Sequence, residues 1–274
     1  MSECYSDKFI INECIKEKSE FNEKFLYDGK SLYEVIRIIK GVPLFLEDHL
    51  KRLYKSAETT NLEIWLKRED IEKSIKELSK INSIENGNVK IIFNYNKDNN
   101  KNFLCYFIRT KYPSKEMYEK GVKTVLYQAE RENPTAKVIN TNLREATDRI
   151  IQERGVYEVI LVNKDGYITE GSRSNIFMIK NSNVYTAPVC KVLPGITRDY
   201  IIKACENLGY EVIEESIHYK DIENIEGLFI SGTSPKVLPV SQVENKKFDA
   251  KNKIITAIMN EYDRILEEYI NSNR

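Results

Sequence analysis

The sequence predicts an α+β protein of two domains, and three observations carry that expectation. At 274 residues the chain exceeds the roughly 100 to 200 residues of a typical single domain. Residues 1–112 alternate strand-like and helix-like apolar patterns, the mark of an N-terminal α+β domain. Residues 113–120 hold Pro113 and mixed charges without periodicity and read as a linker, after which 121–274 forms a second domain.

Along the first domain, the run Leu32-Tyr33-Glu34-Val35-Ile36-Arg37-Ile38-Ile39, the turn Lys40-Gly41 and the run Val42 to Leu46 predict a hairpin. Leu46, Leu50, Leu53, Tyr54 and Ala57 then recur at helical spacing, and Ile71, Ile75 and Leu78 mark another helix. Val89 to Tyr95 pairs with Phe103 to Arg109 across a loop biased toward Asn and Lys. In the second domain Val122 to Tyr127 reads as a strand, and a helix follows Asn140 with Leu143, Ala146, Ile150 and Ile151 on one side, ending near Gly155. A strand meander is expected from Val159 to Thr186. A helix opens at Pro194-Gly195, with Ile201, Ala204, Cys205 and Leu208 at helical spacing and Gly209 at the C-terminal cap. Leu228 to Ser231 reads as a strand before the turn Gly232-Thr233-Ser234-Pro235. The closing amphipathic helix presents Ile254, Ile255, Ile258, Met259, Tyr262, Ile265, Leu266 and Tyr269.

Composition narrows the function. Lys plus Arg and Asp plus Glu each number 42, so no net field favours nucleic acid or an anionic membrane, and a small molecule or a second copy of the chain is the expected partner. The five cysteines are scattered and hold no CxxC pair, which argues against a disulfide framework and a zinc site. No apolar run approaches the roughly 18 residues of a membrane span, and the first residues lack a secretory pattern, so a cytoplasmic location is expected.

Few residues stand out chemically. Lys137 lies in Pro134-Thr135-Ala136-Lys137-Val138-Ile139-Asn140, uncharged for three residues on each side in a charge-dense chain. A desolvated lysine has a depressed pKa and acts as a nucleophile or Schiff-base amine, although most lysines are solvated surface groups. Glu170 stands between a β-type run and a turn, beside Gly171, Ser172 and Ser174, where it faces an ionisable ligand atom or lies at a sheet edge. The N–H groups of Ile196 and Thr197 point out of a helix N-terminus, a ready place for a phosphate. His49 and His218 are the only histidines, and their spacing suggests neither a metal cluster nor a nucleophile–base pair. Arg52 falls on the helix side opposite Leu50, Leu53 and Ala57, and taken alone reads as part of a solvated face.

Read together, Asp48-His49-Leu50-Lys51-Arg52-Leu53, Lys137-Val138-Ile139-Asn140, Tyr167 to Asn175, Leu193-Pro194-Gly195-Ile196-Thr197-Arg198 and Gly232-Thr233-Ser234-Pro235 occur in the order and spacing of one family. Over roughly residues 25–245 the chain resembles the class IV, or fold-type IV, pyridoxal-phosphate aminotransferases, which include branched-chain and D-amino-acid aminotransferases and aminodeoxychorismate lyase. The resemblance implies a small N-terminal α+β domain, a larger C-terminal β-barrel-like domain with flanking helices, and pyridoxal 5'-phosphate as cofactor. Lys137 matches the lysine that joins the cofactor as a Schiff base and moves the substrate's Cα proton, and Glu170 matches the carboxylate on the pyridine nitrogen. Arg52 matches the phosphate arginine, with Ser172, Ile196, Thr197 and Thr233 as further cofactor contacts.

The implied activity moves an amino group between an amino acid and a 2-oxo acid. A lyase eliminating pyruvate and a non-catalytic ligand-binding relative are the alternatives. On the substrate side the resemblance points to Tyr33 and Arg109, and Arg173, which replaces a smaller residue of many relatives, is either a second substrate-carboxylate contact or a surface group. Leu26-Tyr27-Asp28-Gly29 replaces the family's Phe-Gly-Asp-Gly, and Thr110 and Lys111 follow Arg109 with no histidine nearby, which departs from the D-amino-acid branch. A homodimer is expected, both from the resemblance and from Tyr27, Leu32, Tyr33, Trp65 and Leu66, whose exposure would need cover.

Overall fold

The computed structural model describes residues 2–98 and 100–274; Met1 and Asn99, the latter in the Asn- and Lys-biased loop, lie outside the described residues. By its contacts the chain divides into two units. Unit 1 holds residues up to Lys111 together with Ala136–Ile139 and Glu268–Arg274, and unit 2 holds Tyr112–Thr135 and Asn140–Glu267.

Unit 1 contains β1 (Lys8–Ile11), β2 (Cys14–Glu17), the short helix α1 (Lys24–Tyr27), β3 (Lys30–Ile39), β4 (Val42–Pro43), α2 (Leu46–Thr60), α3 (Arg68–Asn82), β5 (Gly87–Tyr95) and β6 (Lys101–Ile108). The strands form a 6-stranded antiparallel sheet in the order β2-β1-β6-β5-β3-β4. Alternation sorts the side chains. Leu32, Ile36, Ile38, Val89, Ile91, Phe93, Phe103, Cys105 and Phe107 pack with Leu46, Leu50, Leu53 and Ala57 of α2 and Ile71, Ile75 and Leu78 of α3. The opposite face carries Ile92, Leu104 and Tyr106, packed with Cys4, Phe9 and Leu26 and bordered by Tyr33 and Ile139. The segment Ala136–Ile139 joins this unit because it extends the sheet. Tyr33 N donates to Lys137 O at 3.2 Å and Ile139 N to Ser31 O at 3.0 Å, so the segment pairs with the otherwise open edge of β3.

Unit 2 begins with α4 (Lys115–Lys120) and β7 (Val122–Gln128). Residues 113–120, expected as a linker, thus contain a helix, and the Ser114 side chain caps it by accepting from Met117 N. There follow α5 (Thr141–Arg154), β8 (Glu158–Val162), β9 (Ile168–Gly171), β10 (Asn175–Lys180), β11 (Asn183–Thr186), α6 (Ile196–Asn207), β12 (Val212–Glu214), β13 (Gly227–Gly232), β14 (Lys236–Val243), β15 (Lys246–Lys247) and α7 (Lys253–Ser272), whose last residues belong to unit 1. The sheet runs β12-β11-β10-β13-β14-β7-β8-β9, and a further pairing of β10 with β9 closes β10, β13, β14, β7, β8 and β9 into a ring. This is the barrel-like domain the family resemblance implies. One face of the ring gathers Val122, Ile160, Ile168, Ile176, Met178, Leu228, Ile230, Leu238 and Val240, while Val125, Val159 and Leu161 on the other face pack against Leu143, Ile150 and Ile151 of α5. The helix after Asn140 therefore turns the side its periodicity marks toward the sheet, where those side chains are half-buried.

The sequence reading passes over β14, which carries Pro239. Proline has no N–H to give a ladder, and here Pro239 precedes Val240, where the parallel pairing with β7 begins.

The residues expected to form an exposed partner surface do not behave alike. Leu32 is fully buried, and Trp65 and Leu66 pack on the unit 1 core, Trp65 edge-on to Phe93 at 4.9 Å. They complete the small core. Among the described residues, no helix is long and apolar enough to cross a membrane.

Phe177 and Phe229 stack across β10 and β13 at 4.9 Å, both wholly buried. Phe229→Ala is expected to remove about 3 to 5 kcal/mol of unfolding free energy, read from urea denaturation followed by far-UV circular dichroism. A loss below about 1 kcal/mol would show that neighbouring side chains collapse into the space.

Candidate active site

In unit 1 the backbone of Lys137 is bound on both sides. Its carbonyl accepts from Tyr33 N, and its N–H donates to Ser56 Oγ of α2 at 3.1 Å. The side chain is half-buried with Nζ 5.0 Å from the centroid of the Tyr33 ring. Ser56 shares its helix with Arg52 and His49, and all three are buried.

Arg52 is not a solvated side chain. It lies 7% exposed beside Glu34 of β3, with Nε donating to Oε1 at 2.8 Å and Nη2 to Oε2 at 2.6 Å. This two-point pairing fixes the plane of the guanidinium. His49 Nδ1 stands 2.8 Å from Glu34 Oε2. Burial lowers the His49 pKa against the raising effect of Glu34, so the imidazole is neutral and Nδ1–H donates. Burial by itself raises Glu34, but the Arg52 charge and the hydrogen bonds from Arg52 and His49 hold its carboxyl well below the usual carboxylate range.

In unit 2 Glu170 ends β9, 3% exposed. Arg131 Nε lies 3.0 Å from its Oε1, an ion pair without hydrogen-bond alignment, and Leu193 N donates to Oε2 at 3.3 Å. The turn that follows is organised by Glu158 of β8. Its Oε1 accepts from Ser172 Oγ at 2.6 Å and Val159 N at 2.9 Å, and its Oε2 from Ser174 Oγ at 3.0 Å and Arg173 N at 3.3 Å. Gly171 fits this turn because a Cβ there would strike Ser174 Oγ.

Helix α6 starts as the motif requires, with Gly195 as N-cap and Ile196 and Thr197 in its first turn, both buried. Asn175 Nδ2 donates to Leu193 O at 2.9 Å, and a Cβ on Gly195 would strike Asn175 Oδ1. Arg198 anchors the same turn, nearly fully buried, with Nη2 3.1 Å from Glu214. Thr233 lies in the turn between β13 and β14, two residues beyond Ser231, whose buried Oγ has no hydrogen-bond partner among the described residues.

Each unit thus carries part of a recognisable donor set. Unit 1 supplies an amine held through its backbone and an oriented guanidinium, and unit 2 supplies a buried carboxylate, a helix N-terminus and hydroxyls. These groups fit a phosphorylated, ring-nitrogen cofactor that accepts an amine. The two expected substrate arginines are both exposed. Arg109 is exposed beyond β6 with its guanidinium 5.7 Å from the Tyr5 ring centroid, and Arg173 is exposed and ion-paired with Asp148. Sequence reasoning passed over Arg131 and Glu158, which no local motif distinguishes from other charged residues, and matched Glu34 to the family's Tyr-Glu pair without giving it a role. Among the described residues no group of three His, Cys, Asp or Glu side chains is placed to hold a metal ion.

The closed ring of strands in unit 2 and the family match define a pyridoxal-phosphate enzyme of the barrel-containing type. The chain belongs to the class IV aminotransferases, whose family description, Amino-transferase class IV, matches residues 31–243. It is 28% identical over 264 residues to a Methanocaldococcus jannaschii protein provisionally named a branched-chain-amino-acid aminotransferase, covering 90% of each chain. It is also 28% identical over 254 residues to the D-alanine aminotransferase of Bacillus licheniformis, covering 87% of this chain and 89% of that one. The branched-chain aminotransferase of the archaeon Thermoproteus uzoniensis, solved with norvaline, shares the fold, with a TM-score of 0.85 at 22% identity over 97% of this chain and 98% of that one. The protein is a pyridoxal-phosphate-dependent aminotransferase.

Glu34 and His49 both bind fewer protons folded than unfolded. Stability is therefore full above the unfolded histidine value of about 6.5 and falls on acidification, first through His49 and then, below about 4.3, through Glu34. Thermal melts between pH 8 and pH 4 are expected to be level down to about pH 6.5 and to decline below it. His49→Gln is expected to flatten the upper part of that decline; an unchanged slope there would assign it to other groups. Gly195→Ala is expected to weaken cofactor uptake at least tenfold, by forcing Asn175 away from the helix start, measured by absorption titration.

Proposed function

We propose that the chain moves an amino group between an amino acid and a 2-oxo acid, with Lys137 as the amine that takes the cofactor and carries the substrate's Cα proton. The observation that carries this reading is the setting of Lys137: an uncharged segment, backbone bonds to Tyr33 and Ser56, and Nζ against the Tyr33 ring. A lysine held this way loses little further freedom on reacting.

When bound, pyridoxal 5'-phosphate supplies an electron sink for the charge left at the substrate's Cα. The residues of this chain do the rest. Glu170 holds a proton at the ring nitrogen, a role supported by its burial and by the Leu193 N–H that fixes its orientation. Arg52 of unit 1 and, in unit 2, the first-turn N–H groups of Ile196 and Thr197 with Thr233 are the groups that would bind the phosphate, whereas the N–H and hydroxyl of Ser172 are engaged by Val159 O and Glu158. Arg131 pairs its charge with the Glu170 carboxylate. Lys137 Nζ, which lies against the Tyr33 ring, would remove the substrate's Cα proton and hold it for return, while Tyr33 covers it. Tyr33 is the substrate contact this setting favours, whereas Arg173 is engaged by Asp148 and Arg109 by Tyr5.

Likeness at equal identity to a branched-chain and a D-alanine aminotransferase supports an aliphatic or broad amino-acid range. Membership of the family supports a homodimer working in the cytoplasm. Light scattering reads the first of these, and a single-chain mass with full activity would refute it.

Purified protein loaded with cofactor is expected to be yellow, and Lys137→Ala to lose the protein-linked absorption and amino transfer, with a rate fall of at least about a thousandfold. A screen of L- and D-amino acids, following conversion of bound cofactor to its amine form, then identifies the donor. Pyruvate release without an acceptor, in the absence of amino transfer, would replace this reading with the lyase.

A further inference from the structure

Unit 1 buries a second lysine beside the reactive one. Lys90 stands mid-strand in β5, opposite Val35 of β3 and Tyr106 of β6, and is only 8% exposed. Strand alternation puts it on the same face as Tyr33 and Tyr106. Its Nζ is 5.2 Å from the Tyr33 ring centroid, and Lys137 Nζ is 5.0 Å from the same centroid. The two amines therefore lie within about 10 Å of each other, flanking one aromatic ring.

A buried ammonium needs a partner, and Lys90 has one with an unusual origin. Glu3, near the start of the chain, places Oε1 2.7 Å from Lys90 Nζ, and its Oε2 accepts from Tyr106 OH at 3.0 Å. Tyr106 is wholly buried, and burial pushes its phenol well above its ordinary value, with Glu3 adding to the effect, so it remains a donor. Two fixed donors on paired strands thus converge on one carboxylate. That carboxylate is carried by a side chain still 31% exposed, outside any helix or strand. The seat is rigid and its occupant is peripheral.

We propose that Lys90 and Tyr106 form the seat for a carboxylate of the amino-acid or 2-oxo-acid substrate, and that Glu3 occupies this seat as an internal competitor when substrate is absent. The inference rests on the transaminase reading of Lys137. Substrates of that reaction are carboxylates, and burying one requires a cation that is already desolvated and held in place. Exchanging Glu3 for a substrate carboxylate keeps Lys90 paired at the start and the end, and moves only an already part-exposed side chain into water.

The test compares cofactor-loaded wild type with Lys90→Met, Lys90→Arg and Glu3→Gln. Calorimetric titration with butyrate and with glutarate reads carboxylate binding, and steady-state rates with alanine and glutamate separate KM from kcat. Lys90→Met is expected to weaken binding and raise KM about ten- to a hundredfold, the loss of a charge-assisted hydrogen bond, and Lys90→Arg to recover part of it. Glu3→Gln is expected to shift binding in the opposite direction, tightening it, because a neutral amide competes poorly for the ammonium. Loss with both probes assigns the seat to the carboxylate next to the reacting carbon, and loss with glutarate alone assigns it to a distal one; either result supports the seat. Unchanged binding in Lys90→Met, or weaker binding in both Lys90→Met and Glu3→Gln, would overturn it, since a merely structural ion pair predicts the same sign for both. Cofactor uptake, read separately by absorption, distinguishes failure of this inference from failure of the transaminase reading.

Discussion

One buried carboxylate holds the shape of unit 2 where its sheet closes. The ring of strands closes through the pairing of Glu170 with Asn175, and the turn between them is drawn around Glu158. Four donors, two hydroxyls and two backbone N–H groups, meet the two Glu158 oxygens. Donors of this kind satisfy the lone pairs of a buried carboxyl group without a cation. The consequences spread from that turn. Gly171 admits the approach of Ser174, Asn175 reaches Leu193, and Gly195 leaves room for Asn175 at the start of α6. The carboxylate at 170 and the helix N-terminus at 196 are thereby set by one hydrogen-bonded turn.

Unit 1 solves a different electrostatic problem on each face of its sheet. On the helix-packed face, Glu34 pairs with Arg52 and accepts from a neutral His49, so three polar side chains enter the core as a satisfied network. On the other face, Lys90 and Tyr106 meet Glu3 beside the Tyr33 ring. The first network is anchored on β3 and α2 and the second on β5 and β6, neighbouring strands of one sheet, which gives both a rigid base. The cost of ionised groups in a core is offset in each case by pairing at hydrogen-bond distance.

Much of this arrangement is legible in the chain. The helix Leu46–Thr60 follows from its apolar spacing, and Lys137 and Glu170 stand out by their local company, an uncharged stretch for one and a Gly-and-hydroxyl turn for the other. The hairpin of β1 and β2 was hidden because its turn residues, Asn12 and Glu13, take left-handed conformations without a glycine, and because β2 is exposed throughout. Arg52 looks solvated on a helical wheel. Its burial depends on Glu34, eighteen residues earlier and on a strand. Glu158, Arg131 and Lys90 are equally silent in a chain that is 31% charged, because their partners lie far along the chain and nothing local marks them.

The binding of Ala136–Ile139 along β3 also bears on how the protein is made. A strand edge with unpaired N–H and C=O groups is a template for pairing with other chains, and in unit 1 the edge at Ser31–Tyr33 is covered by residues a hundred positions later. During synthesis that edge stays open until the chain beyond Ile139 has emerged, so a nascent or truncated chain ending near Lys111 exposes it to intermolecular pairing. The segment that carries the reactive amine is thus also the strand that protects this sheet from aggregation, and substitutions around Lys137 that break its backbone pairing would lower soluble yield as well as activity.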